Sequence, residues 1–400
     1  MADLAYGDLK KSFPFLLPTR VEYGLGAAAR VADEAAALGA RAFIVTDPGV
    51  LAAGLVDPVQ AALAAGGLEP GVFAGVEANP RVETVDRAAA AARDHGADVI
   101  VGVGGGSAMD TAKAAAVVAR HGGSVLDYEG LEVVPGPAVP VIAIPTTAGT
   151  GSEVTLWAIV TDTVRHYKAP VGSFHLAPRV ALVDPLMTLS LPPAMTAGTG
   201  LDALTHAIEG YTARCSNPIS DAVELYAMEL IAGNLERAVD KGDDVEARSA
   251  VMLGSLLAAI GFGNADTAAV HSMAEAIGAH FDVPHGVANA IFLPYVMGHN
   301  LAAVPEKTAR IGRAMGFDDR GMSTGQAAER AVAAVFALVH RLRIPPLAET
   351  GIGEDDLPRL AATAMMNLGT PDNPVEMTEE SFLALFAAAL RGGEPVAPGP

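Results

Sequence analysis

The sequence predicts an α/β domain with a parallel sheet, followed by an all-α domain. Strand-like runs alternate with helical patterns through the first half of the chain, which is typical of βαβ units in a doubly wound sheet. Several of these runs, such as Val99–Val103, have no polar position, which indicates strands covered on both faces. From about Pro192 onward the strand signal fades and only helical patterns remain.

Aliphatic and β-branched runs mark the strands of the first half, and alanine-rich runs with charged outer faces mark its helices. Strands are predicted at Arg20–Tyr23, Ala42–Thr46, Gly71–Ala74, Ala97–Val103, Val139–Ile144, Thr155–Thr161 and Val180–Val183. Helices are predicted at Ala27–Leu38, Pro58–Ala65, Val82–His95 and Ala108–Arg120.

The second half contains helical patterns only. They are predicted at Thr196–Arg214, Ser220–Val239, Val245–Ile260, Ala268–His280, Ala290–Leu301, Pro305–Ala314, Gly325–Leu342, Leu357–Met366 and Glu379–Arg391. A chain of 400 residues is too long for one typical core. We therefore expect two domains, residues 1–190 and residues 191–400.

Charge and cysteine content limit the partners and the compartment. The formal net charge of −20 argues against a nucleic-acid partner, which needs a concentrated basic face. A single cysteine, Cys215, excludes an internal disulfide and fits a reducing cytoplasm, where we expect this protein. Residues 1–20 lack the apolar core of a signal peptide, and no apolar run approaches the roughly 18 residues of a membrane span.

A glycine-rich loop follows the buried strand Ala97–Val103. Gly104-Gly105-Gly106-Ser107 leads into a helix that carries Asp110 and Lys113 near its start. Glycines let the backbone approach a ligand, and the N–H groups of a first helical turn bind anions. The spacing matches neither the common dinucleotide fingerprint nor the P-loop. It favours a phosphate cradle, with a tight turn between strand and helix as the alternative.

A second loop of small residues follows the strand Val139–Ile144. Residues 145–153 supply four hydroxyls, from Thr146, Thr147, Thr150 and Ser152, at the strand end where α/β sheets bind ligands. Two such loops together favour a dinucleotide or another phosphorylated ligand. Asp47 follows the strand Ala42–Thr46 and could accept hydrogen bonds from ribose hydroxyls, or could cap a helix.

The second half contains candidate metal ligands. Asp202 and His206 stand at i and i+4 of a predicted helix, so their side chains share one face. His271 lies on a later helix, and His285 lies between a proline and a glycine in the predicted loop 281–286. Three imidazoles and a carboxylate suit Fe²⁺, Zn²⁺ or a related divalent ion, whereas a surface acid–histidine pair is the alternative for the first helix.

These motifs resemble those of the iron-containing (group III) alcohol dehydrogenases, which are more distantly related to glycerol dehydrogenase and dehydroquinate synthase. The resemblance covers essentially the whole chain. It is carried by residues 104–113, 145–155, 200–209, 271–278 and 284–289. It implies an N-terminal Rossmann-like domain that binds NAD or NADP and a C-terminal helical domain that binds the metal, with Asp202, His206, His271 and His285 as ligands.

The resemblance also assigns cofactor contacts. They fall on Asp47, Asn79, Gly105, Gly106, Ser107, Asp110, Thr146, Thr147, Thr150, Lys168 and Phe262. A carboxylate at Asp47 would repel the 2′-phosphate of NADP, so NAD is the expected cofactor and NADP is disfavoured.

Two positions depart from the family pattern. Many relatives have a second histidine four residues after the ligand that matches His271, and this chain has Glu275 there. Trp157, the only tryptophan, occupies a pocket-facing position that varies among relatives. Trp157, Phe262 and Glu275 are the expected substrate-pocket residues. His280 could also face the pocket, although an ordinary polar role fits it better.

The sequence thus predicts an NAD-dependent alcohol dehydrogenase or aldehyde reductase (EC 1.1.1.-). It would interconvert a small primary alcohol and its aldehyde by hydride transfer, with the substrate oxygen on a divalent ion, expected to be Fe²⁺. Family members are commonly dimers or larger homo-oligomers. The alternatives are a lyase or cyclase resembling dehydroquinate synthase that uses NAD without net turnover, a metal-dependent hydrolase, and a ligand-binding protein without catalysis.

Overall fold

A computed structural model describes residues 12–395, which form two compact units. One unit comprises Leu17–Leu191 and Asp243–Met252. The other comprises Pro192–Gly242 and the described residues from Leu253 onward, with the described residues before Leu17. We refer to them as the α/β unit and the helical unit.

The α/β unit is built on a six-stranded sheet in which every strand pair is parallel. Its strands are β1 (Arg20–Tyr23), β2 (Arg41–Val45), β3 (Glu69–Phe73), β4 (Val99–Gly104), β6 (Val141–Pro145) and β9 (Val180–Val183). Their order across the sheet is β1-β9-β6-β4-β2-β3. The predicted parallel α/β fold is confirmed.

The strands with no polar position lie in the middle of this sheet. β4, β6 and β9 are buried at every residue, as expected for strands covered on both faces. The helices that cover the sheet are α1 (Val31–Ala36), α2 (Pro48–Ala52), α3 (Val56–Ala65), α4 (Val82–His95) and α5 (Gly106–His121). The predicted helix Ala27–Leu38 is shorter than expected, because its first turn, Ala27–Arg30, is a 3-10 helix.

A second, three-stranded sheet was not predicted from the sequence. It contains β5 (Gly130–Leu131), β7 (Trp157–Asp162) and β8 (Tyr167–Gly172) in the order β5-β8-β7. Pro170 hides β8 in the sequence, because proline argues against a central strand. The short β5 pairs only with Val171 and Gly172, so the ring of Pro170 interrupts no ladder on that side.

The helical unit contains the predicted helices, most of them within three residues of the expected bounds. They are α6 (Pro193–Thr212), α7 (Pro218–Asp240), α8 (Val245–Phe262), α9 (Ala269–Phe281), α10 (His285–Asn300), α11 (Pro305–Ala314), α12 (Thr324–Arg341), α13 (Leu357–Met365) and α14 (Glu379–Arg391). The first turns of α8 belong to the α/β unit.

One boundary was wrong in a way that concerns a candidate ligand. Residues 281–286 were predicted as a loop, but α10 begins at His285, directly after Pro284. Glycine at 286 obscured the start of the helix in the sequence. Here it has a packing role, since a Cβ at Gly286 would clash with the carbonyl group of Gly198 on α6. His285 is therefore held by the first helical turn.

Among the described helices, α8 alone is long and apolar enough to cross a membrane by length and composition. More than half of that stretch, 56%, is buried inside the protein, as in a core helix. Burial within the fold therefore accounts for its composition.

Candidate metal and cofactor sites

Helix α6 supplies the first two candidate metal ligands. Pro193 stands at its N-terminus, and residues 200–211 are buried without interruption. A helix that is buried on all sides can present polar side chains only to other protein groups. Asp202 is 1% exposed and His206 is 4% exposed, so both face the interior. The alternative of a surface pair is wrong.

Helices α9 and α10 bring His271 and His285 to the same place. Ligand atoms of Asp202, His271 and His285 all lie within 4.8 Å of one another. Nε2 of His285 is 3.6 Å from Oδ1 of Asp202, and Nε2 of His271 is 3.9 Å from that oxygen. Nε2 of His206 is 2.9 Å from Nε2 of His271. Four side chains from three helices therefore converge on one small volume.

The electrostatics of this cluster suit a cation. Burial lowers the pKa of His206 and of His271 to about 3, so both rings are neutral near pH 7. Burial acts to raise the pKa of Asp202, but the surrounding imidazole groups and the hydrogen bond from the Asn289 amide outweigh it and hold that pKa below its usual value, so this carboxyl is ionised. Neutral imidazoles whose Nε2 atoms face each other need a proton or a cation between them. The donor set fits a divalent ion such as Fe²⁺ or Zn²⁺.

Glu209, one turn after His206, holds the ring of His271. Its Oε2 lies 2.5 Å from Nδ1 of His271, and its Oε1 accepts a hydrogen bond of 2.7 Å from the N–H of Val270. Burial raises the pKa of Glu209 to about 7, against the pull of these backbone donors. A bond from Nδ1–H to this carboxyl leaves the lone pair of Nε2 directed at the cluster.

Asn289, one turn after His285 on α10, lies inside the cluster. Its Nδ2 is 2.6 Å from Oδ1 of Asp202, 3.0 Å from Nε2 of His271 and 3.2 Å from Nε2 of His285. An amide group has two N–H donors and cannot satisfy three acceptors. Oδ1 of Asn289 is buried without a hydrogen-bond partner. The excess of acceptors around Nδ2 and this unsatisfied oxygen are further signs that the cluster accommodates an ion.

The predicted pocket residues of the helical unit lie around these ligands. The ring of Phe262 stacks on His206, with 4.2 Å between ring centroids. Glu275 stands one turn after His271 on α9 and accepts a hydrogen bond of 2.5 Å from Nδ2 of Asn367. Nε2 of His280 is 3.0 Å from Oγ1 of Thr363, which supports an ordinary polar role for that histidine.

In the α/β unit, the two small-residue loops face each other. A Cβ on Gly105 would come 3.3 Å from the side chain of Thr147, and one on Gly106 would come 2.7 Å from that of Thr150. Only glycine permits this approach. Thr146 donates its N–H to the carbonyl of Gly104 at 2.9 Å. The loops after β4 and β6 thus form one surface, beside the start of α5.

The start of α5 presents the N–H groups expected for an anion site. The helix begins at Gly106, so Gly106 and Ser107 belong to its first turn, whose N–H groups have no partner within a helix. Asp47 lies nearby and caps α2, since its Oδ1 accepts a 2.9 Å hydrogen bond from the N–H of Val50. Its Oδ2 lies 3.3 Å from the Cβ position of Gly104, so a carboxylate borders the glycine loop.

The other predicted cofactor residues of this unit form two hydrogen-bonded groups. Nζ of Lys168 donates to Oδ1 of Asn79 at 2.6 Å and to Oγ1 of Thr161 at 3.1 Å. Asp110 accepts a hydrogen bond of 2.5 Å from Oγ of Ser152. Asp110 therefore contacts the second loop through one of the four hydroxyls of that loop.

Trp157 begins β7 and pairs with Gly172 of β8. Its indole lies across Gly172, where any Cβ would clash with the ring. The side chain is half-buried. Packing on Gly172 therefore fixes the plane of the indole.

The sequence assigned no role to Glu209, Asn289 or Lys113, and it did not indicate that Ser152 contacts α5. Spacing could have found the first two, because Glu209 follows His206 at i+3 and Asn289 follows His285 at i+4. The contacts of Lys113 and Ser152 join α5 to a loop about 40 residues later, and no local pattern encodes such a pairing.

Comparisons with known proteins agree with this arrangement. The family model described as "Iron-containing alcohol dehydrogenase" matches residues 18–185, and the one described as "Fe-containing alcohol dehydrogenase family, C-terminal" matches residues 196–390. The chain is 41% identical to a choline dehydrogenase of Bacillus subtilis over 94% of both chains. It is 40% identical to a 1,3-propanediol dehydrogenase of Klebsiella pneumoniae over 95% of this chain and 99% of that one.

Solved structures show the same fold. A crystal structure of 1,3-propanediol oxidoreductase superimposes with a TM-score of 0.92 at 40% identity, covering 95% of this chain and all of that one. A sulfoacetaldehyde reductase from Bifidobacterium kashiwanohense, solved in complex with NAD⁺, gives a TM-score of 0.85 at 30% identity and covers 96% of this chain and all of that one.

Proposed function

The chain belongs to the iron-containing alcohol dehydrogenase family and is an oxidoreductase, and we propose that it interconverts a primary alcohol and its aldehyde with NAD as the hydride carrier and a divalent ion, expected to be Fe²⁺. The observation that carries this proposal is the convergence of Asp202, His206, His271 and His285, in which the rings of His206 and His271 are buried and neutral and the carboxyl of Asp202 is buried and ionised. Zn²⁺ or another divalent ion would suit the same donors.

These four residues would hold the ion, which when bound supplies a positive charge that polarises the substrate oxygen. The chain's own part is orientation. Glu209 fixes the ring of His271, and Asn289 donates to Asp202, so the donor atoms are directed before any ion arrives. Burial of the cluster excludes water that would otherwise compete for the ion.

NAD would bind in the α/β unit, with its pyrophosphate on the first turn of α5. The proposed contacts are Asp47, Asn79, Gly105, Gly106, Ser107, Thr146, Thr147, Thr150 and Lys168, with Asp110 holding the second loop. Phe262 is proposed as a further cofactor contact on the family resemblance alone. The approach of the two loops and the free end of the helix support this assignment. Accordingly, residues 1–190 would be the dinucleotide-binding domain and residues 191–400 the metal-binding domain.

The carboxylate of Asp47 supports NAD over NADP, because it would repel a 2′-phosphate at the edge of the glycine loop. Its role as the cap of α2 does not conflict with this, since the cap uses one oxygen of the carboxylate. The residue thus serves the fold and the choice of cofactor together.

Trp157, Phe262 and Glu275 are proposed to line the substrate pocket. The stacking of Phe262 on His206 and the position of Glu275 one turn after His271 support this for the helical unit. Replacing Glu275 with Gln tests it: KM for the alcohol should change while the metal content stays constant. An unchanged KM across a panel of alcohols would remove Glu275 from the pocket.

The relatives are alcohol and aldehyde oxidoreductases, which does not favour a lyase, a cyclase or a hydrolase. The substrate is a small alcohol or aldehyde of the kind this family uses. We further propose a cytoplasmic homodimer or larger homo-oligomer, which analytical ultracentrifugation would test. A monomer at micromolar concentration would contradict the oligomer.

The experiment for the reaction is a spectrophotometric assay of NADH formation with a panel of primary alcohols, including choline and 1,3-propanediol. Net, alcohol-dependent NADH formation is the expected result. Tight NAD binding without turnover of any alcohol in the panel would favour a binding protein. Hydrolysis of a phosphate ester without NADH formation would favour a hydrolase.

A further inference from the structure

Lys113 is the one cation on α5 that is fully buried. Its side chain is 0% exposed, in the middle of the face that α5 turns to the protein interior. Nζ donates to the carbonyl of Ser152 at 2.9 Å and to Oγ1 of Thr155 at 3.3 Å, and it also donates to the carbonyl of Trp157. The lysine nitrogen therefore donates to three acceptors, which are spread over residues 152–157.

Asp110, one turn earlier on α5, holds the same segment from the other side. It accepts hydrogen bonds from Oγ of Ser152 at 2.5 Å and from the N–H of Ile159 at 3.1 Å. Its Oδ1 lies 3.3 Å from Nζ of Lys113, so the two charges form an ion pair. Asp110 and Lys113 together contact residues 152–159 at both side-chain and backbone atoms. We call this pair and its contacts the α5 clamp.

Burying the charge of Lys113 beside a partly exposed Asp110 is a costly way to hold a loop. Taking a charge out of water costs several kcal/mol, and removing its partner would leave it uncompensated. Ordinary packing would suffice if the loop needed only to be covered. The clamp instead fixes the loop by directed bonds to carbonyl and N–H groups, which set the position of the backbone.

Holding the backbone of residues 152–159 also constrains the upstream part of the loop, which carries Thr147 and Thr150. Residues 146–156 have no regular secondary structure between β6 and β7. β6 fixes one end at Pro145, and the clamp fixes the other end from Ser152 onward. Thr147 and Thr150 lie between these anchors and contact Gly105 and Gly106. The clamp thus ties the threonine loop to the helix whose first turn would bind pyrophosphate.

We propose that Asp110 and Lys113 are positioning residues that hold the threonine loop in the conformation that binds the pyrophosphate of NAD, so that they set cofactor affinity without contacting the cofactor. This inference rests on the proposed function, since it takes NAD as the ligand of the loop. It also changes the role of Asp110, whose carboxylate acts through Ser152 and Ile159. A loop released from the clamp must be ordered at binding, which weakens affinity.

The test is NADH affinity in Lys113→Met, which keeps an unbranched side chain one heavy atom shorter and removes the charged Nζ. Trp157 is the only tryptophan and its carbonyl is held by the clamp, so its fluorescence reports on this segment and on NADH binding by energy transfer. The expected result is a rise of about tenfold in Kd for NADH and in KM for NAD, with kcat at saturating NAD within about twofold of the wild type. The metal content should stay constant.

Lys307→Met is the matched control. Lys307 is a largely buried lysine of the helical unit that likewise donates to a backbone carbonyl, a hydroxyl and a carboxylate, those of Tyr211, Ser216 and Asp221. It should leave the Kd for NADH within about twofold of the wild type while lowering stability. If Lys307→Met raises the Kd for NADH as much as Lys113→Met does, general destabilisation explains both changes and the proposal is contradicted.

Ser152→Ala provides a milder version of the test, since it removes only the hydroxyl that Asp110 accepts from. It should raise the Kd for NADH by about threefold, the scale of one hydrogen bond. Should Lys113→Met fail to fold, this variant decides the matter. Wild-type affinity in Ser152→Ala, or in a folded Lys113→Met, overturns the inference. A wild-type protein that does not bind NADH overturns the proposed function instead, so the two failures are distinguishable.

Discussion

The metal cluster and the cofactor loops are built on opposite physical principles. The cluster consists of ionisable side chains from α6, α9 and α10, and burial keeps the rings of His206 and His271 neutral. The loops consist of backbone groups and small hydroxyls after β4 and β6, and their approach depends on glycine. In the cluster the charges face the ligand position, whereas in the loops the charges of Asp110 and Lys113 lie behind it.

This difference shows where each site is vulnerable. The donor atoms of the cluster would bind the ion directly, so removing one of them should cause loss of the ion. The loops bind through many weak, equivalent N–H and O–H groups, so a single change should weaken binding without abolishing it. Substitutions in the two regions test whether changes in the metal cluster have larger effects on ligand binding than changes in the loops.

The largest effect is expected from His271→Ala. The ring supplies a donor atom between His206 and Asp202, so its loss should lower the affinity for Fe²⁺ by more than about 100-fold, beyond the range for residues that only orient a ligand. Metal analysis of the purified protein checks this. Wild-type metal content in the variant would remove His271 from the ligand set.

Glu209→Gln should have the next largest effect. It keeps the shape of the side chain but weakens the bond to Nδ1 of His271, and changes of this kind cost about 10- to 100-fold in metal affinity. Competition with a calibrated chelator measures that affinity. Glu224→Gln is the control, because Glu224 is another fully buried glutamate of this unit whose carboxyl oxygens have no hydrogen-bond partner. Equal losses in both variants would point to general destabilisation.

Glu153→Gln probes the charges behind the loops. Burial raises the pKa of Glu153 from its usual 4.5 to about 7, although Lys113 pulls it downward. Because the folded protein keeps a proton on Glu153 that the unfolded chain has lost, the contribution of this residue to stability should fall as pH rises from about 4.5 to about 7, by on the order of 2 kcal/mol. Urea unfolding followed at Trp157 should therefore show the stability of the wild type falling relative to that of Glu153→Gln over this range, whatever the other titrating groups contribute to both proteins. Parallel profiles would show that this carboxyl has no such role.

Asp47→Ser should have the smallest effect, confined to cofactor choice. Serine retains a cap for α2 and removes the negative charge beside Gly104. The ratio of kcat/KM for NADP to that for NAD should rise about tenfold, the scale of one repulsion relieved near the protein surface. An unchanged ratio of kcat/KM for NADP to that for NAD would mean that the carboxylate of Asp47 does not contact the ribose.

The sequence predicted the fold well because its strongest signals are local. Strands such as β4 are apolar throughout, and helices such as α4 and α14 have their predicted bounds. β8 was missed because Pro170 is acceptable there only through the shortness of β5, a partner about 40 residues earlier. The start of α10 was misplaced because Gly286 serves packing against Gly198 and not a turn.

The candidate sites were predictable where residue type and spacing alone indicate the chemistry of the side chains. Histidines and an aspartate at helical spacing indicated the cluster, and glycines indicated the loops. The partners that orient these groups were not predictable in the same way. Glutamates are frequent in this acidic chain, so Glu209 stands out only when Nδ1 of His271 is found beside it. The contacts of Lys113 and Ser152 between α5 and the second loop exist only in the tertiary fold.

The most direct test of the account is to strip the wild-type protein of metal with a chelator and to follow NADH formation from a primary alcohol as Fe²⁺ is restored. Activity should be lost on stripping and should return in proportion to the ion bound, up to a single ion per chain, with no recovery in His271→Ala. Full activity in the stripped protein would contradict this account.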